Sequence, residues 1–295
     1  MKSALTVVAA ALLLVACAAR KPRPGVPSQA PPRGPAPTAE TDRPQSERYR
    51  DTRDSGPAAP KVDVSALPEP VPKAEPRARY GNKSPYSVLG KTYTVMPDAR
   101  HYVERGIASW YGNKFHGYMT SSLEPYDMYQ FSAAHKTLPL PSYVRVTNLD
   151  NGKSVTVRVN DRGPFHENRL IDLSYAAAVR IGIWPKGTGL VEVRAIDPAD
   201  QDAEPLADAE VPVPSGDPKI FLQLGAFADI GNAQRVLGQV QRAGIGRVAI
   251  VSARIEGREI HRVRMGPLPS VEAADALVAR IEKMGLGTPR VAIDK

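Results

Sequence analysis

The chain has 295 residues, a formal net charge of +8 and a single cysteine. That length suits two folded units with connecting segments, and one cysteine excludes an internal disulfide framework. The excess Lys and Arg is scattered and forms no basic stripe that would track a phosphate backbone, so nucleic acid is not an expected partner.

Lys2 precedes an apolar run, Ala4 to Ala16, which is short for a bilayer span and ends at Leu14-Val15-Ala16-Cys17. Residues 1–16 therefore read as a secretory signal and not as a transmembrane helix. Small residues ahead of a cysteine suit a peptidase that cuts before a lipid-modified thiol. A lone cysteine at the export junction is better explained as that lipidation point than as a stray thiol. Cys17 is the expected attachment site; an ordinary signal peptide cut near Ala18-Ala19 is the competing reading. Ala18 in place of Asp after the cysteine resembles lipoproteins passed on to the outer membrane, where several acyl chains anchor stably and one alone is marginal.

Residues 17–79 are crowded with Pro, Ala, Arg and Glu and show neither helical nor strand period. The expectation is a disordered tether reaching at most roughly 190 Å at about 3.1 Å per residue. Residues 198–216, acidic and proline-bearing, read as a second linker.

Between them, residues 80–197 show short strands broken by Gly, Pro and Asn. Val144 and Val146 alternate with Arg145 and Thr147, a turn follows at Asp150-Asn151-Gly152, and Val155, Val157 and Val159 then alternate with Thr156 and Arg158. This predicts a β-hairpin. Ser174 is placed to cap a short helix through Arg180, and Leu190–Ile196 reads as a closing strand. The sum is a compact barrel of about six strands with small helices.

The chemistry-bearing residues gather in this unit. Glu124 and Asp127 lie in a loop bounded by Thr120, Ser121, Ser122 and Pro125; His135 sits in Ala-Ala-His-Lys-Thr-Leu-Pro; Asp161 falls where the Val155–Val159 strand ends. Several acids crowded together push at least one pKa upward, which keeps a proton available for a glycosidic oxygen. Asp161 has an alternative reading as a turn residue paired with Arg162, and acids in polar loops are commonly just solvated. Trp110 and Tyr111 suit stacking on sugar faces, although an aromatic pair after a short strand is at least as often core; of the two, Tyr111 is expected to be the more exposed. His116 and His166 raise a metal alternative with His135, but their spacings match no common zinc pattern.

The order of Gly106-Ile-Ala-Ser-Trp110-Tyr-Gly112, Glu124-Pro-Tyr-Asp127, Ala134-His135-Lys136-Thr137 and Asn160-Asp161-Arg162-Gly163-Pro164 resembles the rare lipoprotein A family of septal lytic transglycosylases. The resemblance implies a double-psi β-barrel, no cofactor and no metal. It implies catalytic roles for Glu124, Asp127, His135 and Asp161, with Asp161 or Glu124 as proton carrier, and substrate contacts from Trp110, Tyr111, Thr120 and Arg162. Three departures stand out: Leu123 where Gly is common, Tyr118 where a basic residue is frequent, and Pro141-Ser142 for Gly-Thr. Because Leu resists positive φ, the Glu124 loop is expected to be aimed differently.

Residues 217–295 run strand, helix, strand, strand, helix, strand, a ferredoxin-like α+β pattern following the mostly β unit. Phe221-Leu-Gln223-Leu-Gly225-Ala-Phe227 and Arg262-Val-Arg264-Met-Gly266-Pro267 resemble the SPOR domain. That resemblance implies glycan binding through Phe221, Gln223, Phe227, Arg262 and Arg264. Strand alternation turns Phe221 and Gln223 away from a helix-facing Ile220, Leu222 and Leu224. Two functions follow as expectations. One is an endolytic transglycosylase acting on peptide-poor peptidoglycan at the division septum, anchored in the outer membrane and facing the periplasm beside septal division proteins. The other is a non-catalytic glycan binder or expansin-like wall loosener.

Overall fold

The computed structural model describes residues 53–57, 62–199, 218–255 and 257–294. The expected signal, Cys17, the first part of the tether and most of the acidic linker lie outside the described residues. After a short hairpin, β1 (Tyr86–Val88) and β2 (Lys91–Tyr93), six strands close a barrel. They are β3 (Val103–Tyr111), β4 (Ser132–His135), β5 (Ser142–Asn148), β6 (Ser154–Asp161), β7 (Arg169–Ser174) and β8 (Gly189–Ile196). Around the barrel the order is β3-β7-β4-β6-β5-β8, with β3–β7 and β4–β6 parallel and the remaining pairs antiparallel.

The predicted hairpin is β5–β6. Val144 pairs with Val157 and Val146 with Val155, and all four are buried in the barrel core as the alternation requires. Helix α1 (Tyr175–Arg180) is capped by Ser174, whose Oγ accepts from the Ala177 N–H at 3.3 Å. Three alanines let it pack closely, since Ala176, Ala177 and Ala178 have no exposed surface.

The proline-rich stretch ahead of the barrel departs from the expected tether. Residues 62–79 lie along the barrel wall, and residues 53–57 touch it as well. Asp54 accepts from the backbone N–H groups of Gly112 (2.8 Å) and Lys114 (3.1 Å). Val64 enters the core cluster, and Arg180 donates to the carbonyls of Val64 (2.9 Å) and Leu67 (2.8 Å) while lying over the Phe131 ring. The Glu69 carboxylate accepts from Thr156 N–H at 2.7 Å. That donor has no partner on β4, whose ladder with β6 starts at Ser132–Arg158. Proline-rich backbone makes no ladder of its own. Apart from a single 3-10 turn at Val64–Ala66, capped by Asp63, the segment has no helix or strand; barrel side chains satisfy its carbonyls and its carboxylates satisfy the barrel edge.

The second unit has β9 (Lys219–Phe227), α2 (Ile230–Ala243), β10 (Val248–Ile255), β11 (Arg258–Leu268), α3 (Val271–Lys283) and β12 (Arg290–Asp294). Its antiparallel sheet runs β10-β11-β9-β12. Asp229 caps α2, accepting from Asn232 N–H at 2.9 Å. Ile220 and Leu222 are buried under the helices, as the alternation predicted, with Leu224 partly buried against the same cluster, and Val263 and Met265 of β11 are buried beside them.

Arg180→Ala removes the donors that hold the pre-barrel strap and is expected to cost about 1–3 kcal/mol. At ~2–4 °C per kcal/mol for a chain of this size, thermal unfolding should show a midpoint lowered by several degrees.

Candidate active site

Strand alternation puts Val155, Val157 and Val159 inside the barrel, which would leave Asn160 outside and return Asp161 to the interior. A β-bulge prevents this. Ala133 pairs with Val159 but Ala134 pairs with Asp161, so Asn160 is an extra residue and Asp161 emerges on the outer face. Ala134 also pairs with Asp172 of β7, which pairs in turn with Ser109 of β3. Asp161, Ala134, Asp172 and Ser109 thus form one row across four strands on one face. Two strand spacings of about 4.8 Å separate the two aspartates, with only a methyl group between them. Each residue keeps some exposed surface, but both carboxyl groups lie deep enough for burial to dominate their protonation.

The loop from Thr120 to Glu124 closes over the end of this row. Thr120 is buried; its N–H donates to the Glu124 carbonyl at 2.8 Å and its Oγ1 accepts from Glu124 N–H at 3.2 Å. Its part is to hold the turn. Leu123 sits within the turn at φ +64° and supplies the left-handed conformation that glycine would. Hydrogen bonds on both sides of Leu123 hold this geometry against its side-chain preference.

The carboxylates occupy contrasting environments. Glu124 meets the Arg158 guanidinium through two bonds, 2.6 Å to Oε2 and 3.1 Å to Oε1, and Asn160 Nδ2 adds a third at 2.9 Å. Partial burial opposes its charge, but these donors outweigh it and hold the Glu124 carboxyl below the usual range. Asp161 Oδ1 accepts from Ser121 N–H (2.7 Å), Ser121 Oγ (2.6 Å) and Arg162 N–H (2.7 Å). Burial nevertheless raises its pKa. Asp172 has the Ser109 hydroxyl as its hydrogen-bond donor, with Lys136 near enough to act through space. With less to offset burial, its pKa is pushed up to about 6.

The remaining expected site residues are placed as follows. His135 is buried, and both ring nitrogens are engaged. Nδ1 accepts from the N–H groups of Thr137 (3.2 Å) and Leu138 (3.0 Å). Nε2 then carries the proton and donates to Tyr102 Oη at 2.9 Å, whose own proton goes to Glu104 at 2.9 Å. Burial holds its pKa down to about 3, so it is a neutral ring that fixes the Lys136–Leu138 turn. Asp127 accepts from Tyr129 N–H at 3.0 Å and lies 3.6 Å from His116 Nδ1. That nitrogen already accepts from Met128 N–H at 3.2 Å, so the Asp127–His116 contact is not a hydrogen bond.

The Arg162 guanidinium is spent on the carbonyls of Gly81 (2.7 Å), His135 (3.1 Å) and Leu138 and on Asn82 (3.2 Å), which makes it a loop organiser and leaves little for a sugar. Tyr111, expected to be the more exposed aromatic, is buried. It shares the outer face with Ser109, but Tyr126 stacks over it at a centroid distance of 4.1 Å. Trp110 is the half-buried one, edge-on to Trp184 at 4.9 Å. Sequence reading missed Asp172, Arg158 and Asn160. The alternation Leu170, Asp172, Ser174 around buried Ile171 and Leu173 carried the signal for Asp172, since it places an acid on the outer face of a strand.

On the second unit's open face, Phe221 lies under the Arg264 guanidinium at 4.4 Å. Arg264 also forms a bidentate pair with Asp294, at 2.6 and 2.9 Å. Phe227 does not join them. The ladder passes from Val263–Gly225 to Arg264–Gln223, so Leu224 is bulged and Phe227 comes into phase with buried His261 on the helix side.

A closed six-stranded barrel bearing an outward row of carboxylates, followed by a four-stranded ferredoxin-like sheet, is a double-psi β-barrel protein with a C-terminal SPOR domain. Residues 103–195 match the lytic transglycolase family and residues 216–288 match the SPOR domain. The endolytic peptidoglycan transglycosylase RlpA of Pseudomonas aeruginosa strain UCBPP-PA14 is 41% identical over 278 residues, covering 77% of this chain and 81% of that protein. The Vibrio cholerae protein of the same name is 39% identical over 238 residues, covering 81% and 86%. The crystal structure of the RlpA SPOR domain from Pseudomonas aeruginosa matches at 31% identity and a TM-score of 0.23, covering 25% of this chain and 96% of that one. The chain belongs to the RlpA family.

Leu123→Gly should relieve roughly 1–2 kcal/mol of left-handed strain against roughly 0.5–1 kcal/mol of added chain entropy. The expected result is a small net stabilisation in thermal unfolding with activity retained, whereas the β-branched Leu123→Val should lower the midpoint.

Proposed function

We propose that this protein is an endolytic lytic transglycosylase cleaving MurNAc–GlcNAc linkages in peptidoglycan. The observation that carries the reading is the division of labour among the outer-face carboxylates. Glu124 is held as an anion by Arg158 and Asn160, while Asp161 and Asp172 are pushed toward the protonated form. An acid and a fixed anion facing one groove is the arrangement that protonation of a glycosidic oxygen and stabilisation of an oxocarbenium-like carbon require.

In the proposed reaction Asp172, seconded by Asp161, donates its proton to the glycosidic oxygen as the bond from that oxygen to C1 of MurNAc breaks. The GlcNAc side leaves as an alcohol. Glu124 steadies the positive charge at C1 without bonding to it. The C6 hydroxyl of the same MurNAc then attacks C1 and returns its proton to the aspartate, which closes a 1,6-anhydro ring and consumes no water. His135, neutral and buried, keeps the turn that carries Lys136 in place, and Asp127 shapes the loop behind Glu124. Sugar contacts fall to the open rim of this groove and, through the SPOR unit, to Phe221, Gln223 and Arg262. A second tethered contact of this kind raises the local concentration of glycan at the barrel.

The finer reading places the enzyme on peptide-poor strands at the division septum, lipid-anchored through Cys17 to the outer membrane on its periplasmic side. The signal junction and the SPOR unit support it.

Mass spectrometry of products from peptidoglycan stripped of stem peptides tests the reaction. Anhydro-ended fragments are expected from the wild type, a loss of roughly 100-fold or more from Asp172→Asn, and a large loss from Asp161→Asn and Glu124→Gln. Hydrated ends would make the protein a hydrolase, and uncut strands that retain the protein would make it a binder. The pH profile of kcat/KM should rise as Glu124 ionises, below the ordinary Glu range, and fall as pH passes about 6 and Asp172 loses its proton. Because the folded-state pKa of Asp172 lies above its unfolded value, its ionisation costs stability that is absent at low pH and grows as pH rises toward about 6. Asp172→Asn should therefore unfold at a higher temperature than wild type at pH 7, with the gap closing near pH 4.

A further inference from the structure

The guanidinium that holds Glu124 has a second carboxylate on its other edge. Arg158 Nε donates to Glu75 Oε1 at 3.0 Å and Arg158 Nη2 donates to Glu75 Oε2 at 2.9 Å, while Nη1 and Nη2 serve Glu124. Four of its five N–H groups are thereby assigned to two parallel forks, an arrangement that a lysine has no geometry to make. Tyr143 Oη donates to Glu75 Oε1 from β5. The Glu75 pKa is lowered chiefly by the Arg158 bonds, so both acids are anions on one cation.

Glu75 belongs to the strap and lies outside residues 103–195, which match the lytic transglycolase family. The strap's course is fixed on both sides of it. Ahead, Glu69 binds Thr156 N–H; behind, Ala78 N–H donates to the Leu140 carbonyl at 2.8 Å and Asn82 Nδ2 to the same oxygen at 2.7 Å. At Gly81 the strap passes so near the Ser121 carbonyl that a Cβ would lie 2.9 Å from that oxygen. Ser121 is the residue whose N–H and hydroxyl hold Asp161. The strap therefore abuts the supports of both acids, Arg158 behind Glu124 and Ser121 behind Asp161.

We propose that Glu75 is a positioning residue for the transglycosylase reaction, supplied by the proline-rich segment ahead of the barrel, and that it acts by locking the edge of Arg158 turned away from Glu124. A surface arginine with one carboxylate partner samples many rotamers, whereas one held by both edges presents a single fork. The site is then incomplete in the barrel alone, and the tether's last folded stretch belongs to it. This inference rests on the role given to Glu124 above.

The test uses the full chain. Glu75→Ala should lower kcat/KM about ten- to a hundredfold, in line with misplacement of a group that must be oriented. The same change in an Arg158→Ala background should have little further effect, since the residue acts through that arginine. Glu69→Ala, on the same strap but bound to Thr156, should lower the unfolding midpoint while kcat/KM well below that midpoint stays near wild type. Independently of turnover, the Glu124 carboxyl followed by carbon-13 NMR should titrate at lower pH in Glu75→Gln, because the nearby like charge raises its pKa in the native chain. An unmoved Glu124 titration, or an equal loss of activity with and without Arg158, overturns the proposal. A wild type that leaves no anhydro ends but shows the NMR shift would instead overturn the reaction and leave the coupling standing.

Discussion

One extra residue in β6 governs the geometry of this barrel. The core requires Val155, Val157 and Val159 to point inward, and an unbroken strand would carry Asp161 in with the same phase. The bulge at Asn160 breaks that phase once, at the last turn of the ladder, after the core has been satisfied. Its consequences spread outward. Arg158, Asn160 and Asp161 all face outward, Asn160 reaches Glu124, and Asp161 comes level with Asp172 across Ala134. A residue bulkier than alanine at 134 would stand between the two acids, so the small side chain is as much part of the site as the charged ones.

Charge is then distributed by supply of donors. Burial alone pushes the pKa of every acid on this face upward. Glu124 escapes because a guanidinium and an amide saturate it; Asp161 has two N–H donors and a hydroxyl that oppose part of the upward push of burial; Asp172 has Ser109 and is pushed up to about 6. The ordering follows from which neighbours the ladder provides. β6 brings Arg158 and Asn160 to the loop acid, whereas β3 brings only a serine to the β7 acid. Glu124 and Asp172, both carboxylic acids with similar ordinary pKa values, become distinct through the strands behind them.

Much of the architecture was legible. The valine alternation around Asp150-Asn151-Gly152, the Ser174 cap and the order of elements after residue 217 are local signals, and local physics settled them as read. What escaped depended on register. Asp161, expected at a strand end, was found on the right face only through a bulge that alternation cannot foresee, and Phe227 was misplaced by the corresponding bulge at Leu224. Tyr111 lost its exposure to Tyr126, fifteen residues away, and Arg162 was taken up by oxygen acceptors from two separate segments, Gly81–Asn82 and His135–Leu138. The proline-bearing residues 68–78 read correctly as lacking helix or strand, while a 3-10 turn at Val64–Ala66 just ahead of them went unread. Lack of regular structure is not lack of a place, however, and the acids Glu69 and Glu75 among those prolines were the sign that something basic was to receive them.

That last distinction changes how the two ends of the functional unit relate. A tether whose final stretch merely connects has no bearing on chemistry, whatever its length. Here the final stretch contributes Val64 to the core, Glu69 to an open strand edge and Glu75 to the arginine behind Glu124. These contacts are side-chain contacts spaced along an extended backbone, each separately modest and none backed by a ladder, so the strap is a part of the barrel that local opening would release at small cost compared with the six-stranded core.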